Sequence, residues 1–213
     1  MSAEKESSLN TEVLLMAVGV VANTENIGLE NTKVKLDNAH IVTNGFTQTA
    51  EANIYAIGDV ASAPWLAHKA SHEGVIAVEH IAGKNPHKIN KLNIPGCTYS
   101  SPQIASVGLT EEAAIASGYQ LKIGRFPFYA NGKALILGDS DGLIKTIFDA
   151  KTGELLGAHM IGSDVTELIH SYVVAKSMEG TELDLMEAIL AHPTLSEMLH
   201  ESVLQAYGKA IHI

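Results

Sequence analysis

The strongest constraint on the fold is a change in the pattern of apolar residues around residues 85–93. This segment, NPHKINKLN, is polar, contains Pro86 and is typical of a linker. Before it, short apolar runs alternate with turns and lead into a single helical pattern. After it, strand-like runs come first and helical patterns follow. The change predicts two parts, residues 1–90 and residues 91–213.

The second part carries the pattern of an α+β domain. A short helix is predicted between Thr110, which suits the cap position, and Gly118, which suits the end. Strand-like runs separated by short turns follow, over residues 122–128, 133–137, 143–148 and 155–161. Helical patterns then cover residues 164–180, 183–190 and 195–207. We therefore expect an antiparallel sheet covered by helices.

The first part has the pattern of an incomplete α/β segment. Residues 13–18 (VLLMAV) form an uninterrupted apolar run, typical of a strand that is buried on both faces. Such a strand needs neighbours, and they would have to come from sequence before Met1. Further predicted elements are strands over residues 34–36, 40–43 and 54–57 and a helix over residues 67–82. We expect this part to be the end of a larger domain.

The composition excludes several classes of protein. The formal net charge of −10, from 14 Lys and Arg against 24 Asp and Glu, argues against binding to nucleic acid. No stretch approaches the roughly 20 apolar residues of a membrane span. Cys97 is the only cysteine, so an intrachain disulfide is impossible, which fits a reducing compartment. A bacterial cytoplasm is preferred over a mitochondrial matrix.

The segment AHPTLSE, residues 191–197, is the first candidate for chemistry. Pro193 disfavours helix at His192, and Thr194 with Glu197 three residues later forms a capping box for the last helix. A corner between two helices with an incidental histidine is one complete interpretation. The other is that Glu197 holds the imidazole of His192 for acid–base work near neutral pH. The spacing leaves open whether Glu197 caps, orients, or does both.

The second candidate is the end of the apolar run at residues 54–57, which is followed by Gly58 and Asp59. Ligands bind at the carboxyl edge of open α/β sheets, and a carboxylate there accepts hydrogen bonds from hydroxyl groups. An ordinary turn explains the pair equally well. Leu66, Ala67 and His68 follow, at the start of a predicted helix whose N-terminus suits an electronegative group.

A metal site is not expected. His68 and His72 have the i, i+4 spacing of a two-histidine metal pair. No third ligand stands at a telling spacing, so we predict no bound metal.

Taken together, these segments resemble the pyridine nucleotide–disulfide oxidoreductases. The resemblance runs from about residue 12 to residue 208 and rests on several motifs in the family's order. These are AVG with Asn23-Thr24, residues 49–59 ending in AIGD, LAHKA with Glu73-Gly74, residues 94–108 ending in PQIASVG, and AHPTLSE. The details LAHKA, GAHMIG and AHPTLSE are most similar to members that oxidise dihydrolipoamide.

The resemblance implies a role for each candidate residue. His192 would be the acid–base catalyst of thiol–disulfide exchange and Glu197 would orient it. Asp59 would hold the ribityl chain of FAD, with Gly58 allowing its close approach. Leu66, Ala67 and His68 would line the flavin, and Gly19 would mark the end of the NAD domain. Residues 91–213 would be the dimerisation domain, and His192 would serve the disulfide and flavin of the other subunit.

The resemblance also implies a reaction and partners. A longer parent protein would oxidise dihydrolipoamide through a disulfide and FAD, with reduction of NAD⁺, as a homodimer that meets a lipoyl-bearing subunit of a 2-oxoacid dehydrogenase complex. The C-x₄-C pair and the G-x-G-x-x-G fingerprints do not occur in this sequence. We therefore expect the isolated chain to be inactive and to retain neither FAD nor NAD. Alternatives are a relative of glutathione or mercuric reductase, and a non-catalytic dimerisation or docking module.

Overall fold

A computed structural model describes residues 7–213 of the chain. The chain divides into two compact units, the first ending at Lys88 and the second spanning Ile89–Ile213. No helix in the described part of the chain is long and apolar enough to cross a membrane.

The first unit consists of short elements and one long helix. A 3₁₀ turn at Leu29–Asn31 precedes the two-stranded antiparallel pair of β1 (Leu36–Asp37) and β2 (His40–Ile41). A second 3₁₀ turn, Gly58–Val60, packs against helix α1 (Ala67–Ile81). Helix α1 ends close to the position that its apolar spacing predicts.

Two predicted strands of the first unit are wrong. Residues 13–18 have no regular secondary structure, and their large side chains are mostly exposed. Residues 54–57 make only one bridge, between Tyr55 and Gln48. The reason is the same for both: a buried parallel strand needs neighbouring strands to receive its backbone hydrogen bonds, and residues 7–88 supply none.

The second unit is built on a five-stranded antiparallel sheet, as the α+β prediction requires. The strands lie in the order β3-β4-β7-β6-β5, and every neighbouring pair is antiparallel. Their bounds are Gly96–Thr98 (β3), Gln103–Gly108 (β4), Leu121–Pro127 (β5), Leu143–Asp149 (β6) and Leu155–Gly162 (β7). The prediction of the meander did not include β3 and β4.

Six helices accompany this sheet in the second unit. They are α2 (Glu111–Ala116), α3 (Gly132–Leu137), α4 (Val165–Leu168), α5 (His170–Ser177), α6 (Glu182–Glu187) and α7 (Glu197–Ala206). The predicted strand over residues 133–137 is wrong, because this segment is helix α3. The side chain of Asn131 accepts the N–H of Ala134 at the start of α3, and Gly138 ends it in the left-handed conformation.

The core of the second unit lies between the sheet and α7. Met198 and Val203 of α7 are fully buried against aromatic residues of the sheet, among them Phe126 and Phe148. At Gly124 the backbone of α7 comes so close that a Cβ atom would collide with the backbone oxygen of Ser202. The helix that begins at Glu197 is therefore held rigidly on the sheet.

Candidate functional site

The first candidate site is the corner between α6 and α7, residues 188–196. Pro193 keeps His192 out of a helix, as predicted, and the peptide bond between them is cis. Leu195, near the end of the corner, is buried in the core. The backbone oxygen of Thr194 accepts a hydrogen bond from the side chain of the buried Asn131 at 3.1 Å. The corner is thus fixed by packing on one side and by a buried amide on the other.

Glu197 joins the two functions that its spacing left open. Its Oε1 lies 2.9 Å from Nδ1 of His192, and its Oε2 accepts the backbone N–H of Thr194 at 2.8 Å. Thr194 does not complete the predicted capping box, since its hydroxyl donates to the backbone oxygen of Ala191. One carboxylate therefore binds the backbone just before α7 and holds the imidazole of His192 as well.

The electrostatics of this pair favour an ionised carboxylate. Partial burial raises the pKa of Glu197, but the hydrogen bonds from Thr194 and His192 outweigh it, and the pKa lies below its ordinary value. The carboxylate fixes Nδ1 of His192 as the protonated nitrogen, which leaves Nε2 available to exchange a proton. The side chain of His192 is 78% exposed, so a reactant has access to Nε2.

A second carboxylate lies one turn along α7. Glu201 is buried, and its oxygens accept the backbone N–H groups of Ile211 and His212 at 3.0 and 3.3 Å. Nδ1 of His212 lies 2.9 Å from Oε1 of the same residue. The segment that follows α7 therefore folds back along this helix. Beside it lies a cavity of roughly 320 Å³, lined by both Glu197 and Glu201.

The second candidate site lies in the first unit, at the 3₁₀ turn Gly58–Val60. Gly58 has φ +72°, the left-handed region that favours glycine, and Asp59 presents an exposed carboxylate. Helix α1 begins nearby with Leu66 at its N-cap, and the Leu66 side chain makes no capping hydrogen bond. The exposed Ala67 and His68 belong to the first turn of this helix. An exposed carboxylate and the positive end of a helix dipole thus both lie in the first unit.

Two buried charged residues of α1 support the turn. Oε2 of Glu73 accepts the backbone N–H of Gly58 at 2.8 Å, and Oε1 lies 2.8 Å from Nζ of Lys69. Both residues are almost fully buried. The approach of Lys69 is too oblique for a hydrogen bond, so its ammonium finds no well-aligned acceptor among the described residues.

The remaining residues that the sequence singled out are Gly19, His68, His72 and Cys97. Gly19 lies in exposed chain, where an added Cβ would contact nothing within 4 Å. His68 and His72 belong to no group of three or more metal-binding side chains within residues 7–213. Burial, with a smaller effect of Glu167, raises the pKa of the Cys97 thiol, which makes it a poor nucleophile.

Sequence reasoning missed three residues of these sites. Asn131 acts on the corner from 63 residues away, and Lys69 and Glu73 support the turn from inside a helix. For Asn131 the sequence carries no signal of the long-range bond. For the other two, a Lys and a Glu at i, i+4 on the helix were a visible signal of an ion pair.

Comparison with known families matches both units. Residues 94–203 match the description "Pyridine nucleotide-disulphide oxidoreductase, dimerisation domain", and residues 1–74 match "Pyridine nucleotide-disulphide oxidoreductase".

Three curated relatives share the name dihydrolipoyl dehydrogenase. The protein of Zymomonas mobilis is 60% identical over 93% of this chain, that of Rhizobium etli 54% over 97%, and that of Bacillus subtilis 50% over 100%. The chain covers 43%, 43% and 45% of these relatives, respectively. It therefore spans less than half the length of the curated relatives that it matches.

Solved structures agree with this fold. LpdA of Mycobacterium tuberculosis superposes with a TM-score of 0.83 at 26% identity, over 89% of this chain and 41% of that protein. The HOCl-induced flavoprotein disulfide reductase RclA of Escherichia coli superposes with a TM-score of 0.80 at 26% identity, over 88% of this chain and 43% of that protein.

Proposed function

This chain belongs to the pyridine nucleotide-disulphide oxidoreductase family, and from that premise we propose that it supplies the acid–base residues and the dimerisation domain of a dihydrolipoyl dehydrogenase. The observation that carries the proposal is the contact between Nδ1 of His192 and Glu197 at 2.9 Å, within the segment that matches the family's dimerisation domain. The relatives that share this name, at 50–60% identity, support the choice of substrate.

His192 acts on the proton of a thiol. Its Nε2 accepts the proton of a dihydrolipoamide S–H, and the resulting thiolate attacks a disulfide, forming one S–S bond and breaking another. The sulfur that leaves carries the electron pair of the broken bond. Glu197 stabilises the imidazolium that forms and keeps its ring oriented, because the other carboxylate oxygen is fixed on Thr194. Cys97 is the only cysteine of this chain, so it supplies no redox pair.

FAD is the cofactor that the turn in the first unit fits. The exposed carboxylate of Asp59 suits the hydroxyl groups of a ribityl chain, and Gly58 allows close approach of a ligand. The positive end of the α1 dipole, where Leu66, Ala67 and His68 lie, suits the electronegative edge of a flavin ring. When bound, FAD supplies two-electron redox chemistry. We assign Gly19 to the neighbourhood of the NAD-binding part.

The site requires a second copy of the chain. His192 is largely exposed, and Ile189, three residues before it, is 99% exposed. A second copy of the chain would cover this aliphatic side chain, and residues 94–203 match a dimerisation domain. We propose a homodimer in which this surface is buried, and a lipoyl-bearing subunit of a 2-oxoacid dehydrogenase complex as the partner that brings the substrate. A bacterial cytoplasm, or a mitochondrial matrix, is the corresponding compartment.

The test uses a hybrid protein. In it, this chain replaces the aligning segment of the Bacillus subtilis dihydrolipoyl dehydrogenase, which matches the whole chain. We expect the hybrid to bind FAD and to oxidise dihydrolipoamide with NAD⁺. We also expect its activity with dihydrolipoamide to exceed its activity with glutathione or with a mercuric salt, each assayed with the nicotinamide cofactor that its reaction requires. His192→Gln is expected to lower the turnover of the hybrid by roughly 10²-fold or more.

The matched control is His170→Gln, since His170 is also exposed and its ring nitrogen contacts the backbone oxygen of Glu167 rather than a carboxylate. An unchanged rate in His192→Gln would contradict the catalytic role and would favour a docking module. The isolated chain is expected to show neither turnover with added FAD nor flavin absorbance after purification. Turnover by the isolated chain would contradict the proposal that it depends on residues outside this sequence.

A further inference from the structure

We propose that Lys69 and Glu73 are positioning residues, which hold the Gly58-Asp59 turn in the conformation that receives the flavin cofactor. The identity of the ligand rests on the proposed function. The placement of the turn by the ion pair rests on contacts within the first unit and can be tested separately.

The two oxygens of Glu73 have separate tasks. Oε2 accepts the N–H of Gly58, at 2.8 Å, and Oε1 faces Nζ of Lys69, also at 2.8 Å. The backbone of Gly58 is in the left-handed region, with φ +72°, and Asp59 follows directly. Because a hydrogen bond to a carboxylate is roughly twice as strong as one between neutral groups, Glu73 fixes the direction of this peptide. The direction of the peptide in turn sets the position of the Asp59 carboxylate.

The energetics of the pair point to a purpose beyond stability. Lys69 is 2% exposed and Glu73 is 8% exposed. The free energy lost when two charges leave water is about as large as the free energy gained from their attraction. A well-packed apolar pair therefore often gives the same stability. An apolar pair, however, has no acceptor for the N–H of Gly58. The contact that a purely apolar pair would lose is therefore the one to the turn.

Lys69 supplies the counter-charge without competing for that contact. Its ammonium carries three donors, yet it makes no well-aligned hydrogen bond with any described residue. Oε2 of Glu73 thus stays committed to Gly58. Through Glu73, the ion pair links helix α1 to the 3₁₀ turn that carries Asp59. The N-terminal end of the same helix carries Leu66, Ala67 and His68. Both surfaces proposed to meet the flavin are in this way held by one helix.

The first experiment measures amide hydrogen exchange of Gly58 in the 213-residue chain. It compares two neutral pairs of nearly equal volume, Lys69→Met with Glu73→Gln and Lys69→Met with Glu73→Met. Only the Gln side chain keeps an acceptor for Gly58. We expect wild-type protection in the Gln pair and exchange about tenfold faster in the Met pair, as for the loss of one hydrogen bond to a charged group.

A third variant guards against loss of folding in the Met pair. Glu73→Asp keeps the charge but is one methylene shorter, so its carboxylate does not reach Gly58. We expect faster exchange of Gly58 in this variant as well. Glu79→Gln, on the same helix, serves as the control and should leave the exchange rate unchanged. Unchanged protection in both the Met pair and Glu73→Asp would overturn the inference.

The second experiment measures the dissociation constant of FAD by flavin fluorescence in the hybrid protein. We expect about tenfold weaker binding in the Met pair and nearly wild-type binding in the Gln pair, with similar unfolding midpoints in urea. Equal affinities in the two pairs would mean that the ion pair has only a structural role. A wild-type hybrid without affinity for FAD would overturn the proposed ligand, while the exchange of Gly58 would still decide whether the pair positions the turn.

Discussion

The side-chain amide of Asn131 donates a hydrogen bond to the backbone oxygen of Thr194 at 3.1 Å. Its carbonyl oxygen accepts the N–H of Ala134 at 2.9 Å, and the residue is buried. One amide group therefore starts helix α3 and holds the segment between His192 and Glu197. The shape of the corner at residues 188–196 therefore depends on a residue 63 positions before Thr194 in the sequence.

Two substitutions separate these tasks of Asn131. Asn131→Asp keeps the acceptor for Ala134 but removes the donor to Thr194, whereas Asn131→Ala removes both. We expect each variant to lose about 1–3 kcal/mol of unfolding free energy, with the larger loss in Ala. In the hybrid protein, Asn131→Asp should also lower the turnover, because the corner loses its anchor. Urea unfolding and steady-state kinetics measure the two effects, and a stable Asp variant with full activity would contradict the anchoring role.

Glu197 is expected to determine which nitrogen of His192 carries the proton. In the wild type, Nδ1 faces the carboxylate at 2.9 Å and should be the protonated nitrogen of the neutral ring. Glu197→Ala removes this acceptor, so we expect the population of the Nε2–H tautomer to rise. Nitrogen-15 chemical shifts of the imidazole at neutral pH measure the ratio directly. Glu197→Gln keeps an acceptor at the same place and should retain the Nδ1–H form; if Ala also retained it, the orienting role would be lost.

The sequence predicts the elements whose signals are local. The proline at 193 and the spacing of His192 and Glu197 predict the corner, and the structure brings the two side chains together. Helix α1 also begins at Ala67, where the prediction has it. In these cases the residues that determine the structure stand within one or two helical turns of each other.

The errors arise where the local pattern suits two structures or where the decisive partner is distant. Residues 133–137 are a short apolar run that suits a strand or a helix equally, and the cap at Asn131 decides for the helix. Residues 13–18 have the composition of a buried strand, yet strand formation depends on neighbours that the described residues do not supply. Long-range hydrogen bonds, such as the one from Asn131, leave no periodic trace in a single sequence.

Glu201 is expected to make the stability of the second unit depend on pH in the acid range. Burial raises its pKa, but the hydrogen bonds from His212 and Ile211 outweigh burial and bring the pKa below 4.5. A lowered pKa in the folded state means that the carboxylate stabilises the fold above pH 4.5. This stabilisation is lost as the pH falls from 4.5 through the folded-state pKa.

The corresponding variant is Glu201→Gln. We expect it to be less stable at neutral pH and to show a shallower loss of stability below pH 4.5 than the wild type. Unfolding in urea at a series of pH values gives both quantities. Glu112→Gln, at an exposed position of α2, is the control and should leave the acid dependence unchanged. An identical acid dependence in Glu201→Gln and the wild type would show that the contacts to residues 211–212 contribute nothing.

Ile189 is expected to lie in the dimer interface. Its side chain is 99% exposed in the single chain, three residues before His192. Ile189→Asp would place a charge in a buried apolar contact, so we expect dimer dissociation to become at least about tenfold easier. Sedimentation velocity over a range of concentrations measures this change. Ile115→Asp, at another exposed isoleucine on α2, should leave the dimer intact; equal effects of the two variants would point to a general loss of stability instead.

The close approach of α7 to the sheet makes Gly124 sensitive to the addition of a single methyl group. A Cβ atom there would overlap the backbone oxygen of Ser202 and press on Oγ1 of Thr146, which already contacts the hydroxyl of Ser202 at 3.1 Å. The buried residues of α7 and β6 leave no room for the methyl group, so Gly124→Ala should cost about 1–3 kcal/mol of unfolding free energy.

Gly132→Ala is the matched control for Gly124→Ala. An added Cβ at Gly132 would meet no atom within 4 Å, and Ala is the better residue in a helix by up to about 1 kcal/mol. We expect Gly132→Ala to be neutral or slightly stabilising in urea unfolding. Because α7 begins at Glu197, displacing it in Gly124→Ala should also disturb the contact between His192 and Glu197, which the imidazole nitrogen-15 shifts would report. A Gly124→Ala variant with wild-type stability and wild-type imidazole shifts would mean that the helix does not need this close approach to position the pair.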